Sequence, residues 1–160
     1  MPGNRMVKVE IADQQSFVSV DAKQIANVAR SILADHGPTR SRVSVAIVDD
    51  ATIHALNRRY LQHDYPTDVL SFVLEEKRGY LEGEVVVSGE TALSQAGQYG
   101  WDASSELLLY IVHGVLHLVG FEDSSDETRQ EMRDAEAHYL AQLGLHVPDQ
   151  DEETGDDFDE

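Results

Sequence analysis

Two histidines four residues apart, in an otherwise uncharged apolar run, are the residues of this chain best placed to do chemistry. From Leu107 to Val119 no side chain is charged, and the members that are not large and apolar are Tyr110, His113, Gly114 and His117. They fall at i, i+3, i+4 and i+7, a single stripe on one face of an α-helix. Imidazole nitrogens one turn apart on one face can converge on one ion at about 2.0–2.1 Å each. Gly120 ends the run where the chain must turn back, so Asp123, or Glu122 beside it, can bring in a carboxylate from the side. The pattern H-x-x-x-H-x-x-G-x-x-D predicts one divalent metal ion on His113, His117 and Asp123. The competing reading, two internally hydrogen-bonded core histidines, buries two polar rings side by side, which is costly. Three protein ligands leave an open coordination position, as in catalytic zinc sites. An ion held that way acidifies a water and polarises a carbonyl or phosphoryl oxygen. Zincin proteases place their general-base Glu directly after the first His. Here that position is Gly114, which disfavours a peptidase. Two His and one carboxylate also make the facial triad of non-haem iron oxygenases.

The elements that must position this stripe can be read around it. Residues 7–11 and 17–20 have strand character, with residues 13–16 between them as a turn. Asp21 caps a helix whose apolar residues Ile25, Val28, Ala29, Ile32 and Leu33 follow the helical period, and Gly37-Pro38 ends it. Residues 42–48 alternate Val43, Val45 and Ile47 against Ser44 and Ala46, the pattern of a sheet strand. Asp49 or Asp50 caps a second helix over residues 51–61, with Ile53, Leu56 and Tyr60 facing inward. A polar loop with Pro66 covers residues 62–68, and strands over 69–74 and 84–87 flank a turn at 77–83. A third helix spans 90–99. The histidine helix starts at Ser104 or Ser105 and runs to Val119. A last one, capped by Ser124 or Ser125, covers 126–143 and ends at Gly144. The expectation is one α/β (α+β) domain over residues 1–147: a small mixed sheet of four to five strands, about five helices, and the metal site on a central helix.

With 160 residues, 41% hydrophobic and 26% charged, the chain can bury one real core. It has no cysteine, which excludes disulfides, thiolate catalysis and Cys-ligated metal. The opening MPGNRMVKVEIAD lacks the apolar core of a signal peptide, and no apolar run approaches the roughly 18 residues of a membrane span. A cytoplasmic protein without membrane contact is expected. The net charge is −18, and eight of the 30 acidic residues fall in the last twelve positions. Residues 148–160 read as a disordered, self-repelling acidic tail serving solubility. Such acidity argues against nonspecific polyanion binding over a wide surface, though not against a local basic groove.

Beyond residue types and spacing, HGVLHLVGFED over residues 113–123 resembles the signature of the YbeY family of bacterial rRNA-maturation factors, H-G-x-L-H-L-x-G-[YF]-D-H. A second stretch agrees: Leu56-Asn57, Tyr60, Asp64 and Pro66-Thr67-Asp68-Val69-Leu70-Ser71-Phe72 are similar to the family's L-N-x-x-Y-R-x-x-D-x-P-T-[DN]-V-L-S-F. Gly83-Glu84, Gln95-Ala96, Glu106 and Met132 match further, so the likeness covers residues 40–145 in order. The resemblance implies a metal-dependent endoribonuclease specific for single strands, acting in small-subunit rRNA 3′-end maturation and ribosome quality control. Its implied partners are rRNA and the small ribosomal subunit, with a small-subunit ribosomal protein or an assembly GTPase besides. The implied cofactor is one divalent ion, zinc first, with nickel or another transition metal as alternatives.

His113 and His117 match the family's first two metal histidines. Asp123 stands where most of the family has a third His, and Glu122 replaces the preceding Asp. An Asp ligand is competent and makes the site less positive and harder. The family's Arg after the Tyr, a natural phosphate partner, is Leu61 here. Arg58 and Arg59 lie just before it and are the candidate substitutes, with a solvated helix face as the even alternative. His63, in the polar loop, is a candidate proton shuttle or phosphate contact. Thr67 and Asp68 are expected to anchor the loop beside the metal, and Ser71 to line the cleft. Tyr99 and Trp101 are expected in the core rather than as base-stacking platforms. A non-catalytic ribosome assembly factor with a structural metal is the rival function, and a metalloprotease-like hydrolase a weaker one.

Overall fold

The computed structural model describes residues 6–61 and 67–148. Its elements follow in the order β1 (Met6–Asp13), α1 (Ala22–His36), β2 (Arg40–Val48), α2 (Asp50–Leu61), β3 (Val69–Lys77), β4 (Tyr80–Ser88), α3 (Gly89–Tyr99), α4 (Ala103–Leu118) and α5 (Asp126–Ala141). The four strands form one mixed sheet in the order β1-β2-β4-β3. β1 pairs parallel with β2, β2 parallel with β4, and β3 antiparallel with β4.

Alternation along the strands decides which side each layer covers. Val43, Val45, Ile47, Leu81, Val85 and Val87 point to the larger core, which they share with the apolar faces of α1, α4 and α5. Val48, Leu70 and Val86 point the other way and form a smaller core with Ile53 of α2. α4 is the central helix, packed against α1, α3, α5, β3 and β4. That placement explains the lack of charge from Leu107 onward, since Ile111, Val112, Val115 and Leu116 are fully buried. Each such side chain contributes about 1.5–3 kcal/mol of burial free energy.

Gly114 lets this helix lie close on the sheet. A Cβ there would stand 2.6 Å from Val85 Cγ1 and 3.0 Å from Val69 Cγ2. The helix ends as its stop glycine requires: Gly120 adopts φ 108°, a left-handed conformation that side chains disfavour. The turn that follows returns the chain over the end of α4 before Ser125 caps α5 with a reciprocal Ser125–Thr128 capping box. Asp21 and Asp49 cap α1 and α2, as their positions suggest.

The fold corrects several expectations. Residues 17–20 are not a strand. The Gln15 amide takes over the pairing, its Oε1 accepting from the backbone N–H of Phe17 and Val18 and its Nε2 donating to the Val18 carbonyl. The sheet therefore has four strands. The β3–β4 turn is only Arg78-Gly79: β3 is extended by exposed positions and β4 by alternating half-buried and buried ones. Tyr60 is not inward: it is 58% exposed, its ring edge-on to Phe72 of the edge strand at 6.0 Å. Asn57 is buried on that helix instead. α4 begins earlier than Ser104, after Asp102, and α5 ends at Ala141. Residues 62–66 of the expected loop, His63 among them, and residues 149–160 of the tail lie outside the described residues.

Candidate metal centre

His113 and His117 project from one side of α4, half-buried, with ring centroids 4.6 Å apart and planes near perpendicular. The turn after Gly120 brings Asp123 across the end of the helix. Its Oδ2 lies 3.5 Å from His113 Nε2 and 3.7 Å from His117 Nε2. Ligands about 2.0–2.2 Å from an ion at tetrahedral angles stand roughly 3.3–3.6 Å from one another, so both spacings are close to those of a bound site. Among the described residues, His113, His117 and Asp123 are the group whose ligand atoms come together this way, all within 4.8 Å. Two neutral imidazoles and one carboxylate suit a borderline divalent ion such as zinc. The residues present fit a metal, and three of them leave a position for substrate. Glu122, the alternative acid, is exposed and outside this group.

Glu136 of α5 was not among the expected site residues. Its Oε2 lies 2.6 Å from His113 Nδ1 and its side chain is largely buried. A carboxylate accepting the Nδ1 proton leaves Nε2, the atom facing Asp123, with the free lone pair. Burial disfavours the charged imidazole of His113, but the Glu136 hydrogen bond and the charges of Glu136, Asp123 and Asp68 outweigh it and raise its pKa. The sequence carried a signal for Glu136. Met132, Tyr139 and Leu140 define the buried face of α5, and Glu136 is the acid at the same helical spacing.

The stripe on α4 begins a turn before Tyr110. Glu106 precedes Tyr110 at i, i+4 and is buried. It accepts from Trp101 Nε1 at 2.7 Å. Burial raises its pKa, opposed by hydrogen bonds from Trp101 and Tyr110 and reinforced by the charge of Asp68. Asp68 stands at the start of β3, open to solvent across the mouth of a cleft. Crowding by surrounding atoms raises its pKa, against the pull of His113. Its backbone carbonyl accepts from Ser88 N–H, which anchors the strand start. Ser71 does line the cleft, and its hydroxyl donates to the Gly114 carbonyl at 2.9 Å, tying β3 to the histidine helix.

Two clefts meet at His113. One, of about 650 Å³, runs along α3 and α4 past Asp68, Gln95, Tyr99 and Glu106. The other, of about 550 Å³, holds His117, Asp123 and Leu61. Tyr99 is 37% exposed at the end of α3 and lines the first cleft rather than the core. Trp101 is partly buried against the core. Arg58 and Arg59 are exposed in the last turn of α2 and are absent from the lining of both clefts. Arg59 lies over the Tyr60 ring at 5.4 Å.

Fold and site together define a mixed α/β protein with a His/His/Asp group able to hold a metal ion on its central helix. The family model described as endoribonuclease YbeY matches residues 10–144, and the chain belongs to that family. A protein named endoribonuclease YbeY from Rhodopirellula baltica is 46% identical over 144 residues, covering 86% of this chain and 74% of the relative. One of the same name from Carboxydothermus hydrogenoformans is 41% identical over 139 residues, covering 85% and 97%. The solution structure of TM1509 from Thermotoga maritima shares the fold with a TM-score of 0.56 at 24% identity, covering 87% of this chain and 92% of that one. No helix of the described residues is long and apolar enough to cross a membrane.

Proposed function

We propose that this chain is a metal-dependent endoribonuclease specific for single-stranded RNA, working in small-subunit rRNA 3′-end maturation and ribosome quality control. The observation that carries the reading is the approach of Asp123 Oδ2 to both histidine Nε2 atoms, in a chain whose relatives are named endoribonucleases. His113, His117 and Asp123 hold the ion, zinc first and nickel or another transition metal next. The chemistry a bound ion supplies is Lewis-acid neutralisation of charge developing on a phosphoryl oxygen. Glu136 fixes the His113 tautomer and ring angle. Arg58 or Arg59 steadies a phosphate from the last turn of α2, where Leu61 itself has no charge to offer, and His63 serves as proton shuttle.

Gly114 weighs against the metalloprotease reading, because the position after the first His has no room even for a Cβ beside Val85. The partners are rRNA and the small subunit, with a ribosomal protein or assembly GTPase presenting the substrate, in the cytoplasm. The test is cleavage of matched single- and double-stranded RNA by metal-loaded and chelator-stripped protein. Cleavage of the single strand alone, lost on stripping and restored by zinc, supports the reading. No cleavage by loaded protein moves the function to a non-catalytic assembly factor, and cleavage indifferent to stripping takes the metal out of the reaction.

A further inference from the structure

The larger of the two clefts at His113 has a lining that a phosphate would not choose. Its volume of about 650 Å³ lies within the range of ligand sites. Among the described residues, Asp68, Glu106 and Glu136 line it and no Lys or Arg does, while Thr67, Thr91, Gln95 and Tyr110 supply neutral polar groups. The RNA backbone is an anion and is repelled from such walls. A second cation is not the answer either. Among the described residues, the group of three or more whose ligand atoms all lie within 4.8 Å of one another is His113, His117 and Asp123, and Asp68, Glu106 and Glu136 form no such group. What the walls favour is a neutral group rich in hydrogen-bond donors. Tyr99, partly exposed at the cleft, adds an aromatic surface. Gln95 stands one helical turn before it on α3, at i, i+4 on the same side of the helix.

We propose that this cleft is a nucleobase site for the nucleotide next to the scissile phosphate, taking bases with an amino edge, guanine foremost, and rejecting uracil. The inference rests on the RNA-cleaving reading of the metal centre and names the part of the substrate that sits beside it. Guanine presents an N–H and an amino group side by side, a matched pair of donors for one carboxylate. Cytosine and adenine present one amino group to a carboxylate or amide acceptor. Uracil turns two carbonyl oxygens toward the carboxylates and has one donor. Glu106 already accepts from Trp101 and Tyr110, but a carboxylate has about four acceptor sites, so capacity remains. Stacking on Tyr99 is tolerant of base identity, which leaves the choice of base to the acids.

The test uses a reporter already present. Trp101 is the only tryptophan of the chain, and its indole N–H is held by Glu106 in the cleft wall. The metal-loaded full chain is titrated with guanosine, cytidine, adenosine and uridine while Trp101 emission is followed. The expected result is a saturable guanosine response at least about tenfold tighter than that of uridine. Tyr99→Ala should weaken guanosine by about tenfold with metal content unchanged. Asp68→Asn, which puts an amide in place of an acceptor, should narrow the guanosine-to-uridine ratio. No saturable response, equal affinity for guanosine and uridine, or a preference that survives both substitutions would overturn the proposal. Nucleoside binding needs no cleavage. Selective guanosine binding by a protein that cuts no RNA would therefore count against the nuclease reading while leaving the base site standing. Cleavage without base selectivity would do the reverse.

Discussion

Glu136 Oε2 lies 2.6 Å from His113 Nδ1, so the carboxylate of one helix sets which nitrogen of the other helix is available to a metal. Because the raised pKa of His113 has Glu136 as its chief upward cause, the same contact governs how protons and metal compete for Nε2. A histidine whose folded pKa is raised stabilises the metal-free protein below its ordinary value of 6.5, and that contribution is lost as pH rises through the raised value. Metal uptake has the opposite sign, since the ion needs the deprotonated nitrogen.

Glu136→Gln therefore has two separable effects. Affinity at alkaline pH falls by about 10–100-fold, the usual cost of removing such a supporting carboxylate. The pH midpoint of metal uptake moves down, because the proton on His113 is held less firmly. Competition with a chromophoric chelator across pH 5.5–8.5, a range chosen to bracket about 6.5, measures both. An unmoved midpoint would mean that Glu136 does not control His113.

Gly114→Ala tests the closeness of α4 to the sheet. The new Cβ would meet Val85 Cγ1 at 2.6 Å and Val69 Cγ2 at 3.0 Å, and β-branched side chains in strands have little rotamer freedom to yield. Overpacking of this kind costs about 1–3 kcal/mol, to be seen in urea unfolding of the metal-free protein. Metal affinity should fall as well, because the displaced residue directly follows His113. Unchanged stability would show that α4 rides higher on β3 and β4 than described.

Asp123→His installs the third histidine that the family signature carries, and the imidazole can reach from the same turn. The variant should keep about one zinc per chain, whereas Asp123→Asn should lose most of its affinity, as an amide oxygen is a neutral and weaker ligand. Calorimetric titration with zinc separates them. Equal affinity for the native chain and Asp123→Asn would remove Asp123 from the ligand set.

Leu61→Arg restores a cation in the cleft shared with His117 and Asp123. A charge-assisted contact to phosphate is worth about 1.5–3 kcal/mol, so kcat/KM on single-stranded RNA should rise by roughly tenfold or more. Arg58→Ala and Arg59→Ala should lower it, the larger loss marking the residue that serves the native enzyme. An inert Leu61→Arg would mean that the phosphate does not pass beside this position.

Local patterns made most of this fold legible. The caps Asp21 and Ser125, the stop at Gly120 and the valine alternation in β2 act within a few residues, so their outcome is written nearby. The apolar stripe likewise put His113 and His117 on one face, and the returning turn placed Asp123 beside them. What escaped was set across distance. The Gln15 amide replaced a strand partner for residues 17 and 18, a choice that residue propensity does not register. Tyr60 has inward spacing but sits at the sheet edge, where no further strand covers it. Glu136 and Glu106 are acids on apolar helix faces, visible as anomalies, yet their partners became identifiable only once α5 and Trp101 were packed against α4.

Metal content of the purified chain beside its His113→Ala and Asp123→Ala variants, with RNA cleavage by the same three samples, decides whether the ion and the cutting depend on the same side chains. The expected result is close to one transition-metal ion per native chain, its loss in both variants and the loss of cleavage with it. A variant that keeps its metal, or one that loses metal and still cuts RNA, would contradict it.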